Sequence, residues 1–166
     1  MAILIRRSGR QPDPWRLADA AADAAAGAGS PAAAALPPQG DWIVPRAQLG
    51  AALCEQPRRS GRLGVLLEPQ DDPLELTPLI GALSLVAVRF PQFTDGRGYS
   101  AARLLRDQVG WTGELRAVGD VLRDQIWLLS RCGFDSFALR EDQDPDDAIR
   151  AFDDFSVSYR FRADGR

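Results

Sequence analysis

Two short polar segments carry most of the chemistry open to this sequence. One is Pro91-Gln-Phe-Thr-Asp95-Gly96-Arg97-Gly98-Tyr99-Ser100, and the other is Gly119-Asp120-Val-Leu-Arg123-Asp124-Gln125. Each leads from an apolar run into a helical pattern. If both runs are parallel strands, both segments lie at their carboxyl ends, where α/β folds bind ligands. Arg97 and Arg123, with Gly98, Ser100, Gln125 and two helix N-termini, would then line an anion-binding concavity. Asp95, Tyr99 and Asp120 are the acid–base candidates beside it. A structural reading competes for the same residues. Asp95-Gly96 and Gly98 form turns readily, and Ser100 and Asp120 are ordinary helix caps.

Gly96-Arg-Gly98-Tyr-Ser-Ala101 also fits G-x-G-x-x-A, with Asp120 at a plausible distance for a ribose-binding acid. Gly96, Gly98 and Asp120 are therefore the candidates for an alternative reading, a small NAD(P)- or flavin-dependent oxidoreductase. The fingerprint wants its first glycine in the tight turn directly off the strand. Here Gln92-Phe-Thr-Asp95 intervenes after Pro91. The reading built on the residues otherwise needs no cofactor.

Composition excludes more than it suggests. All 20 cationic side chains are arginine, histidine is absent, and there are two cysteines. Without lysine there is no Schiff base. Without histidine there is no imidazole base and no Ser-His or Cys-His nucleophile. Two cysteines are too few for an iron–sulfur cluster or a four-cysteine zinc site. No metal site is expected, because the acidic run Glu141–Asp147 lacks the spacing of a calcium loop. Cys132, at a helix C-terminus, is a poor nucleophile, and both thiols are expected to be buried and reduced. Trp111 and Trp127 are expected in the core.

The net charge is −3 over 166 residues, spread as +3 over 1–62, −2 over 63–140 and −4 over 141–166. No segment has the basic density of a phosphate-backbone binder, so nucleic acid is not an expected partner. No run of about 18 apolar residues could span a membrane. Arg6-Arg7 follows only a short apolar start, unlike a secretory signal. A cytoplasmic location is expected.

These residues must be positioned by one α/β domain, 1–62 packing on a body formed by 63–166. Residues 18–38 are alanine-rich, helical to about Ala26 and broken by Gly27, Gly29 and Pro31. Ile3–Ile5 and Trp42–Val44 read as short N-terminal strands, and Pro45 opens a helix to Glu55. Then come Leu63–Leu67 (strand), Leu74–Gly81 (short helix) and Leu83–Phe90 (strand). Ser100 caps a helix ending at Gly110, Glu114–Val118 is a strand, and Asp120 caps a helix ending at Gly133. Asp135–Leu139 is a strand, and Asp144-Pro145 opens the last helix. Phe155–Phe161 alternates at period two, a C-terminal strand. Four consecutive βα units predict a mainly parallel sheet, either open or half-barrel-like. A half barrel leaves edges that the N-terminal strands or a second copy, as a homodimer, would cover.

Three runs together resemble a known family. They are Val88–Arg106, with its continuous Phe-Thr-Asp-Gly-Arg-Gly-Tyr-Ser; Gly113–Gln125; and Arg131–Leu139. The likeness covers residues 40–155. The family is a bacterial group of unknown-function proteins that carries an oxidoreductase label tied to sulfite reduction. The resemblance implies an association with sulfate assimilation, beside sulfite reductase, and supplies no catalytic residues to carry over. Sulfite is reduced at sirohaem and an iron–sulfur cluster, whose ligands this chain lacks. The expectation is therefore an accessory protein: a partner of sulfite reductase or another sulfate-assimilation enzyme, or a binder of a sulfur oxyanion or sulfated nucleotide.

Overall fold

The computed structural model describes residues 3–18, 39–58 and 60–155. Eight strands form a single sheet, β1 (Ile3–Arg6), β2 (Gly9–Gln11), β3 (Trp15–Leu17), β4 (Asp41–Pro45), β5 (Leu63–Leu67), β6 (Leu85–Phe90), β7 (Glu114–Gly119) and β8 (Ser136–Leu139). Their spatial order is β2-β1-β8-β7-β6-β5-β4-β3. From β3 to β8 every neighbouring pair is parallel. The β1–β2 hairpin joins antiparallel on the far side of β8.

Because the parallel strands follow one another in sequence, right-handed crossovers put all their helices on one face. Those helices are α1 (Leu49–Glu55), α2 (Arg97–Leu104), α3 (Ile126–Cys132) and α4 (Pro145–Arg150). Their apolar sides meet alternate strand residues, among them Val65, Val88, Leu115 and Phe137, in the main core. The opposite strand face carries a smaller cluster of Trp15, Ile43, Leu66, Leu85 and Ala87, to which helices contribute nothing.

That second face is concave, since the sheet curls into a half barrel. The chain dictates the curl. An eight-stranded sheet laid flat would be about 34 Å across at ordinary strand spacing. Yet the outermost strands, β2 and β3, are joined by only Pro12, Asp13 and Pro14. Those few residues reach about 15 Å at full stretch. The two edges must therefore approach each other, with the Pro-Asp-Pro strap across the gap. The N-terminal strands thus flank both sides of the five-strand run β4–β8.

Local signals explain most of the helices. Gly110 and Gly133 adopt left-handed φ of 75° and 110° and end the α2 and α3 segments. Asp144 accepts the Asp146 N–H and Pro145 starts α4. Several expectations are corrected. Ser100 lies inside α2, because the Asp95 carboxylate already accepts the Arg97 N–H and starts the helix there. Asp120 caps no helix. The segment before α3 instead begins with a 3-10 turn, Arg123–Gln125, where the Gln125 side chain accepts the Leu122 N–H. The helix expected over Leu74–Gly81 is two 3-10 turns, Pro73–Leu76 and Ile80–Ala82. Pro78 falls between them and has no N–H to continue the helical hydrogen-bond ladder. Cys54 is exposed and Cys132 half-buried, and neither is in a disulfide, against the expectation that both are buried. Trp111 is buried and Trp127 only half-buried. The alanine-rich segment beyond Ala18 and the strand expected after Phe155 lie outside the described residues.

One contact fixes α2 on the sheet. A Cβ placed on Gly98 would lie 2.4 Å from Phe90 Cζ. Phe90 cannot yield, being buried and packed edge-on against Tyr99 and obliquely against Phe134. Gly98→Ala should cost about 1–3 kcal/mol by overpacking. Urea denaturation should show this as a lower midpoint with an unchanged slope.

Candidate functional site

The two polar segments do arrive at one edge. Pro91–Gly96 leaves the carboxyl end of β6, and Asp120–Leu122 leaves that of β7. They are bound to each other through backbone and side chain. Asp120 accepts the Phe93 N–H at 2.9 Å, and Gln125, itself buried, donates to the Phe93 carbonyl at 2.6 Å. The other Asp120 oxygen accepts from Arg140 at 2.9 Å.

The arginines on this edge are already engaged. Arg97 lies fork-to-fork on Asp95, at 3.0 and 2.6 Å. This pairing holds the Asp95 carboxyl below its usual range. Arg123 donates to Asp147 at 3.1 Å and to both oxygens of Asp154, at 2.5 and 2.9 Å. Tyr99 is half-buried against Phe90. Burial first, then the neighbouring Cys132 and Asp124, push its phenol above the ordinary value, so it stays protonated at neutral pH. Ser100 is exposed on α2. Gly96 lies at the helix start with open space beside it, whereas the face of Gly98 is filled by Phe90. Gly98 thus serves helix–strand packing, and the Asp120 oxygens are both taken.

The hollow lies instead on the concave face. It has a volume of about 350 Å³ and is walled by Ile43, Leu66, Ala87 and Val118, with Trp15 at its side. It reaches the carboxyl ends of β6, β7 and β8 at Arg89, Gly119 and Arg140, the position at which parallel α/β folds bind ligands. Three guanidinium groups line it, those of Arg89, Arg116 and Arg140. Register explains this: Ala87 pairs with Arg116 and Arg89 with Val118, so these four face the same way.

The three arginines differ in what they have left to offer. Arg116 is 2% exposed and fully committed, with Nη1 on both oxygens of Asp13 at 2.9 Å and Nη2 on Glu114 at 2.9 Å. Arg140 spends its Nε and Nη2 on Asp142 and its Nη1 on Asp120. Arg89 gives only its Nε, to Glu68 at 2.7 Å. Its two terminal nitrogens have no partner among the described residues, so an unspent guanidinium fork lines the hollow.

Below the hollow, Glu114 is the hub of a buried ionic cluster. Besides Arg116 it takes the Ser136 hydroxyl at 2.6 Å and Arg6 at 2.5 Å. Burial acts to raise its pKa. The Ser136 hydroxyl, Arg116 and Arg6 outweigh burial, and the carboxyl sits below its ordinary value of 4.5. At the other end of the strands a depression of about 630 Å³ is bounded by Arg6, Arg7 and Arg131. Its cations are occupied: Arg6 holds Glu114, Arg7 holds Asp153, and Arg131 stacks on Trp127 at 5.3 Å.

A family model described as a bacterial protein of unknown function (DUF934) matches residues 64–166. The chain belongs to this family. The DUF934 match takes in β5 to β8, and with them Arg89, Arg116 and Arg140; Asp13 and Trp15 precede it. No curated protein matches the chain. Among the described residues no helix is long and apolar enough to cross a membrane, and no cluster of acids and cysteines could hold a metal ion.

Sequence reasoning missed Arg89 and Arg116, although a signal was present. Each is a charged residue inside an apolar strand, Ala-Val-Arg-Phe and Glu-Leu-Arg-Ala. A charge there is costly unless it is paired or put to use.

The Glu114 environment sets a pH dependence. The folded state holds this carboxyl ionised more strongly than the unfolded chain does. Its stabilisation is complete above the ordinary value of 4.5 and is lost as pH falls through the lower folded-state value. Melting temperatures measured from about pH 7 to about pH 3 should fall across this window. Glu114→Gln should melt lower at neutral pH and show a shallower fall.

Proposed function

We propose that this DUF934 protein is a non-catalytic accessory of assimilatory sulfate and sulfite reduction, and that it acts by holding a sulfur-bearing anion in the concave hollow. The observation that carries the reading is the unspent fork of Arg89. A guanidinium with two free parallel donors is suited to the paired oxygens of a sulfite, sulfate or sulfated group. At about 350 Å³ the hollow is within the range of small-molecule sites. The pathway comes from the resemblance carried by Val88–Arg106, Gly113–Gln125 and Arg131–Leu139. Arg89 lies within the first of these runs. In this role the protein delivers or withholds its anion from a sulfate-assimilation enzyme such as sulfite reductase, in the cytoplasm, and needs no cofactor of its own.

The test is calorimetric titration and thermal shift with sulfite, sulfate, a sulfated adenine nucleotide and simple organic sulfonates, with NAD(P) and flavin alongside. At least one sulfur anion should bind and raise the melting temperature, since binding only the folded state stabilises it. Arg89→Ala should weaken that binding at least about tenfold, the value of a charge-assisted hydrogen bond pair. Arg97→Ala and Arg123→Ala should leave it within about twofold, as expected of residues outside the contact. If no sulfur anion binds, or if loss follows Arg97 or Arg123 rather than Arg89, the reading is wrong. A shift with NAD(P) or flavin alone would favour the oxidoreductase alternative.

A further inference from the structure

We infer that the hollow is built for an organic anion with one charged head and an apolar, ring-sized body, in preference to a bare oxyanion; this rests on the proposal that the hollow binds an anion and names the ligand class. The charge inventory leaves one head group only. Each nitrogen of Arg116 and of Arg140 already faces a carboxylate, whereas both terminal nitrogens of Arg89 face none among the described residues. Asp13 and Glu141, which also line the hollow, add no positive charge to it. The charges of Arg116 and Arg140 are balanced by Asp13, Glu114, Asp120 and Asp142, so the hollow has little positive charge left for a polyphosphate or a doubly charged nucleotide.

The walls call for something apolar. Leu66, Ala87, Val118 and Ala138 bring hydrocarbon to the space in front of Arg89. A cavity of about 150 Å³ accommodates benzene, and this one measures about 350 Å³. A bare tetrahedral oxyanion would leave those walls against water, whereas an aromatic body would cover them. Small side chains create the room. The interiors of eight-stranded barrels are ordinarily filled by bulky branched residues, and Ala87 and Ala138 stand where such residues would close the space.

The experiment titrates the full chain with sulfite, methanesulfonate, benzenesulfonate and naphthalene-1-sulfonate, using benzoate to test whether the head must be a sulfur oxyanion. Affinity should climb at least about tenfold from methanesulfonate to naphthalene-1-sulfonate, as burial of apolar area adds to the head-group contact. Arg89→Ala should weaken every member of the series. Ala138→Leu, which narrows the hollow at a half-buried position, should weaken the naphthalene compound most and methanesulfonate least. Sulfite binding as tightly as the arylsulfonates, with Arg89 still required, would overturn the ligand class and leave the anion site standing. Aryl binding indifferent to Arg89→Ala would overturn it as well. If nothing in the series binds, both readings fall.

Discussion

The structure turns on a buried guanidinium. Arg116 projects from the middle of β7 into the concave side of the sheet, where a lone charge would be untenable. It is made tolerable from two directions. Glu114, two residues earlier on the same strand and face, holds one side. Asp13, which the strap between the outermost strands carries, holds the other. Because β7 lies in the middle of the sheet, the Asp13–Arg116 contact ties the strap across the barrel interior to the opposing wall. Prolines on both sides of Asp13 limit the backbone of that strap. The Trp15 N–H also bonds to the Asp13 carboxylate and turns it inward. Curl, strap and buried charge form one interlocked arrangement.

That arrangement separates a packed ionic cluster from an open hollow along the strands. Towards their amino ends the interior holds the ionic cluster of Arg6, Glu114, Ser136 and Arg116, whose donors and acceptors largely satisfy one another. Beside Arg116 and one step nearer the carboxyl ends, Ala87 and Ala138 are small, and a hollow remains in front of Arg89. The helices take no part in it, since a consecutively wound parallel sheet sends them to the outer face. The Arg89 fork stands there in apolar surroundings, the feature on which the proposed anion binding rests.

Much of the fold was legible from sequence. The apolar runs Leu63–Leu67, Leu85–Phe90, Glu114–Gly119 and Ser136–Leu139 are strands, and Gly110 and Gly133 stop their helices as glycines in left-handed conformation do. The short strands Gly9–Gln11 and Trp15–Leu17 were not legible. They have too few residues to show alternation, and the pairing that makes them strands comes from distant parts of the chain. For the site, reading the motifs pointed to the edge of the sheet on which the hollow opens, and to loop residues there rather than to the concave face. Asp95 with Arg97, and Arg123 with Asp147 and Asp154, show why: several of the conspicuous polar residues serve to fix loops and chain segments. The side chains that line the hollow are less conspicuous, because what distinguishes Arg89 is the partners it lacks. A sequence cannot display that.

Coupling between the strap and the far wall is measured by a double-mutant cycle on Asp13 and Arg116. Asp13→Ala, Arg116→Met and the double variant would be compared by denaturant unfolding. A coupling energy of about 1–3 kcal/mol is the expected result for residues locked in a buried ionic contact. Effects that add to within about 0.5 kcal/mol would mean that the strap is not held by this contact, and the role given to the buried Arg116 as the tie between strap and wall would fail with it.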